Sequence, residues 1–87
     1  MNNPYMKDVV VTAEYAPLES QRMVLSVMIQ CPLSNAGPVF FRGPGFEDIA
    51  WPPGEWNPFR GLNLADIEVR GTPGDVVAVR GGSGDAL

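Results

Sequence analysis

Residues 63 to 82, NLADIEVRGTPGDVVAVRGG, constrain the fold more than any other part of the chain. Apolar residues alternate through Leu64, Ala65, Ile67 and Val69 and resume at Val76, Val77 and Val79, the period of a pleated strand and not of a helix. Between the two runs, Gly71-Thr72-Pro73-Gly74-Asp75 supplies a reversal, because Pro73 presets φ for a turn and glycine takes positive φ without steric penalty. The stretch predicts two short strands joined by a tight turn, a hairpin on which the upstream chain packs. Ile67 and Val69 face one way and Asp66, Glu68 and Arg70 the other, so the first strand has one wet face; the valine-rich second strand reads as the more central one.

The longest regular segment upstream is Arg22 to Cys31, RMVLSVMIQC. As a strand it turns Met23, Leu25, Val27, Ile29 and Cys31 to the core, leaving Val24 and Met28 outside, read first as ordinary surface apolarity and second as a sign of a second contact surface. Asp8 to Ala13 and Val39 to Arg42 are shorter strand candidates, the latter closed by Gly43-Pro44-Gly45, while Glu14 to Gln21 and Pro32 to Pro38 read as loops. Ten glycines and nine prolines in 87 residues favour many turns over long helices. The expected fold class is all-β, a small antiparallel β-sandwich, jelly-roll-like, of about six to eight short strands. Residues 1–7 are expected to form an N-terminal arm, 8–82 a single β-sandwich domain and 83–87 a flexible tail.

A chain this short buries only about 63% of its unfolded surface, so partners or oligomerisation are expected to add stability. A net charge of −4 speaks against a nucleic-acid binder, which needs a basic face, and no apolar run is long enough to span a membrane. The N-terminus, MNNPYMKDVVV, lacks the basic and apolar segments of a secretory signal, so synthesis in the cytoplasm is expected. The single cysteine, Cys31, reads as a small buried hydrophobe at a strand end. With no histidine there is no Ser-His-Asp or Cys-His arrangement and no imidazole metal ligand, and no phosphate-binding glycine loop precedes a helix. The carboxylate pairs Glu47-Asp48 and Asp66/Glu68 are the one catalytic route open, and 87 residues offer little cleft to hold them. The reading is therefore not an enzyme and without cofactor or metal.

What such a chain has left is its surface. Tyr5 and Met6 are apolar anchors in the polar arm, whose removal is expected to weaken association and leave the fold intact. Trp51 and Trp56 flank the turn at Pro52-Pro53-Gly54 and are either caps of the sandwich or anchors for a partner protein. These four residues are the candidate protein interface. Each of the Arg-Gly pairs, at Arg42, Arg60, Arg70 and Arg80, follows an apolar run and is read as a strand-end arginine paired with Asp48, Asp66, Glu68 or Asp75.

Trp51-Pro-Pro-Gly54-Glu55-Trp56, Phe59, the strand Asn63 to Val69 and the Gly71-Thr-Pro-Gly74-Asp75-Val76-Val77-Ala-Val79 segment together resemble small head-associated proteins of tailed bacteriophages, over about residues 20 to 82. That resemblance implies a compact β-sandwich and a virion structural role: a capsid decoration (cement) protein on the outer capsid surface, bound to the major capsid protein, and a homo-oligomer, a trimer if it follows a capsid three-fold position. It carries over no individual functional residue. Two other roles remain open at this point: a neck or tail component of the virion, and a carbohydrate-binding module stacking sugars on Trp51, Trp56 and Tyr15.

Overall fold

In the computed structural model, which describes residues 4–82, the strands pair from the middle of the chain outwards. β4 (Val39–Gly43) pairs with β5 (Phe46–Trp51), β3 (Val24–Gln30) with β6 (Trp56–Asn63), β2 (Ala16–Pro17) with β7 (Glu68–Arg70), and β1 (Pro4–Val10) with β8 (Val76–Gly82). All these pairs are antiparallel, so the chain is one long double ribbon, rolled over itself into two sheets of order β1-β8-β3-β6 and β2-β7-β4-β5. That nested order is a jelly roll, and the expected small antiparallel sandwich is what the chain forms.

Alternation within strands builds the core. Val27, Ile29 and Cys31 from the β3 segment meet Val77 and Val79 of β8 on the inner face of the first sheet, and Val39, Phe41 and Val69 face them from the second. Trp51 joins them with its ring centroid 4.4 Å from that of Phe41. Cys31 is fully buried at the end of β3, as its composition suggested.

The segment from residue 63 to 82 is not a hairpin. Leu64–Asp66 is a 3-10 turn, capped by the Asn63 side chain, which accepts from Ala65 N at 3.2 Å; β7 and β8 then lie in opposite sheets. Within the loop between them Asp75 N donates to Thr72 O at 3.0 Å, and the loop is otherwise tied to the residues after β1: Gly71 N donates to Thr12 O at 2.9 Å, Gly74 N to Val11 O at 3.3 Å, and Val11 N to Asp75 O at 2.8 Å. Five residues that can close a hairpin can equally cross the roughly 10 Å between stacked sheets. Alternation is the same in both cases, since it records which side chains face the core and not which sheet carries them.

The N-terminal arm is also corrected. Residues 4–7 belong to β1, with Tyr5 opposite Gly81 and Lys7 opposite Val79, so the strand expected from Asp8 begins at Pro4. Side chains seal it: the Tyr5 hydroxyl donates to Glu19, and Lys7 Nζ lies 3.1 Å from the same carboxylate and donates to Leu18 O at 3.3 Å. The expected tail, 83–87, and residues 1–3 of the arm lie outside the described residues.

Candidate functional site

The two outer faces of the sandwich differ in chemistry. On the first sheet, register places Met6, Arg80, Met28 and Pro58 in one row across β1, β8, β3 and β6, and Asp8, Ala78, Gln30 and Trp56 in the next. Val10 and Val76 follow on β1 and β8. Met6 is 73% exposed, Val10 64% and Trp56 53%. The charges among them cancel, because Arg80 Nη2 lies 2.8 Å from Asp8 Oδ1 while its Nη1 donates to Lys7 O. The result is a mainly apolar sheet face with Met6 and Trp56 roughly 16 Å apart, three strand spacings across and one row along.

The outer face of the second sheet is a network of arginine, aromatic and carboxylate groups. The Arg42 guanidinium lies 4.2 Å from the Tyr15 ring centroid, and Arg70 lies 4.5 Å from that of Phe40. Arg42 pairs with Glu68 at 2.7 Å and Arg70 with Asp48 at 3.3 Å, while the Tyr15 hydroxyl donates to Asp48. That hydroxyl, above all, holds the Asp48 carboxyl below the usual carboxylate range. Asp48 stands in a bulge of β5 with φ of 54°, where two residues oppose Arg42 alone.

The sandwich has one sealed flank and one open flank. At β1 and β2 the Tyr5 and Lys7 bonds to Glu19 close the gap between sheets. At β5 and β6 the sheets splay around a cavity of about 280 Å³ walled by Ile29, Phe41, Trp51, Phe59, Leu62 and Ile67. Phe46 and Ile49 form its lip; both belong to the inward-facing set of β5, yet they are 36% and 47% exposed. β6 is bulged as well, at Arg60-Gly61, with Gly61 at φ of 62°.

The four sequence-derived interface residues therefore separate. Met6 and Trp56 share the outer face of the first sheet, whereas Tyr5 points inward to Glu19 and Trp51 is 7% exposed in the core. Compared with known proteins, the chain matches no family model, no curated sequence and no solved structure. The candidate site thus rests on geometry. Val24 and Met28, singled out by alternation, lie outward as expected, with Val24 44% exposed. Val10 and Pro58 were missed; the unbroken Val9-Val10-Val11 run was the available signal, since it puts an apolar residue on both faces of β1.

Trp51, Trp56 and Tyr15 lie apart from one another, in the core, on the first sheet's outer face and on the second sheet's side. Of the carboxylate pairs, Asp48 is engaged by Tyr15 and Arg70, and Glu68 by Arg42. The arginine pairing is only partly the expected one: Glu68 and Asp48 are used, but Arg80 takes Asp8, and Asp75 instead accepts from the amides of Ala36 and Gly37 at 3.0 and 3.2 Å.

Proposed function

We propose that this protein is a virion structural component, a capsid decoration protein that docks on the major capsid protein through the outer face of its first sheet. The observation that carries the reading is the set of outward apolar residues Met6, Val10, Met28 and Trp56 on one sheet face, where Arg80 and Asp8 between them neutralise each other. A contact of standard size covers about 800 Å² per partner. That is about a sixth of the 5019 Å² accessible surface. The resemblance to phage head-associated proteins supplies the kind of partner. Fold alone does not, because jelly rolls host many functions. Repetition over a symmetric shell strengthens a weak contact, and three copies about a three-fold position would do the same for one another.

The test is cosedimentation with undecorated capsids of the parent virion. Met6→Thr and Trp56→Thr keep strand propensity and remove the apolar surface. Trp56→Thr is expected to weaken binding at least tenfold with thermal unfolding unchanged, as buried tryptophan anchors do. Undiminished binding by both variants would refute the docking face.

A further inference from the structure

We propose that the open flank between β5 and β6 is a binding site for a single hydrocarbon chain of about eight to ten carbons ending in a carboxylate. The site is independent of the docking face on the first sheet. Inward-facing side chains of a sandwich are ordinarily covered, and at this flank Phe46 and Ile49 are not. The wall behind them is made only of aliphatic and aromatic side chains, so an occupant finds no hydrogen-bond partner inside. A volume of about 280 Å³ has room for roughly nine water-sized groups at about 30 Å³ each, a short chain and not a drug-sized ligand.

Two observations decide between a small ligand and a strand from another protein. Both edges of the mouth are bulged, at Glu47-Asp48 and at Arg60-Gly61, and β6 carries Pro58, which has no N–H to donate. Bulges and proline are what keep a sheet edge from accepting another strand, so entry is by burial of an apolar group. The mouth then opens into a mainly apolar hollow that shares Phe46, Leu62 and Ile67 with the cavity and brings Arg22, Asn63 and Asp66 to its rim beside Val24 and Pro44. Lys7, Arg42, Arg70 and Arg80 are in ion pairs, whereas Arg22 has no ion-pair partner among the described residues. Arg22 is placed to receive the carboxylate, and Asp66 is the group the carboxylate must avoid.

Calorimetric titration of the full chain with hexanoate, octanoate, decanoate and decanol, below their micelle concentrations, tests the assignment. One-to-one binding is expected, with negative heat-capacity change and affinity rising about fourfold per methylene until the cavity is full. Arg22→Gln should weaken decanoate about tenfold without affecting decanol, Asp66→Asn should tighten decanoate, and Ile49→Glu at the exposed lip should abolish binding. Absence of saturable binding or of chain-length dependence overturns the site. Equal decanoate affinity in wild type and Arg22→Gln overturns its head-group assignment. Self-association that disappears with Ile49→Glu gives the flank to a second copy of the chain and overturns it likewise.

Discussion

Asn35 does at the scale of one residue what a strand does elsewhere. Its Nδ2 donates to Val76 O at 2.8 Å and its Oδ1 accepts from Val76 N at 3.0 Å, so the side chain completes the β8 ladder just beyond the end of β3. Nδ2 also lies 3.3 Å from the buried Cys31 sulfur. Asn35→Ala leaves both backbone groups of Val76 without this partner and is expected to lower unfolding stability by about 1–3 kcal/mol, measured by urea denaturation. Gly81 is the more demanding position, since a Cβ there would stand 2.1 Å from Ser26 O and 2.7 Å from Val27 Cα. Gly81→Ala is expected to prevent the β3–β8 pairing, and its circular dichroism spectrum should lack the wild-type strand signal. Neither role was legible in the sequence: PLSNAGP reads as a loop, and Asn35 acts on a residue 41 positions away. In sequence Gly81 only follows the strand-end Arg80, whereas in the fold it makes room for a neighbouring backbone inside a strand.

At the scale of elements, β1 is where sequence and structure part most usefully. A polar, proline-bearing start reads as an arm because its inward residues are Tyr5 and Lys7, polar groups that satisfy themselves on Glu19 and not in an apolar core. Deleting residues 1–7 therefore removes the outer half of β1 and its seal, and is expected to lower the thermal midpoint by several degrees instead of leaving the fold untouched. The same seal gives a pH signature. The Tyr5 hydroxyl first, then Lys7, hold the Glu19 carboxyl below its ordinary value of 4.5. Its contribution is whole above that value and is lost as pH falls through the lower folded one. Burial first, then Glu19, push the Tyr5 phenol well above its ordinary value of 10.0, so its contribution is whole below pH 10.0 and is lost as pH rises towards the folded value. Urea midpoints across pH should fall at both ends, and Tyr5→Phe should reduce the alkaline fall, leaving the smaller part due to Tyr15, raised by its own burial and by Asp48. Strand positions in β3, β4 and β8 were legible because apolar alternation is a local property. Sheet membership of β7 and β8 was not, because it is decided by hydrogen bonds to Val11 and Thr12, far away in the chain.

At the scale of the whole molecule, one sandwich presents an apolar face, a charged aromatic face and an open flank, each on a different side. Composition could not assign Trp51 to the core and Trp56 to the outside, since both border the same turn. Only the alternation on either side of that turn, read in the finished topology, separates them. The measurement that tests the docking face most directly is hydroxyl-radical footprinting of the protein, free and bound to undecorated capsids. The account predicts that oxidation of Met6 and Trp56 falls sharply on binding while that of Tyr15 and Phe46 stays as it was. Protection of Tyr15 or Phe46, with Met6 and Trp56 still oxidised at the free rate, would contradict it.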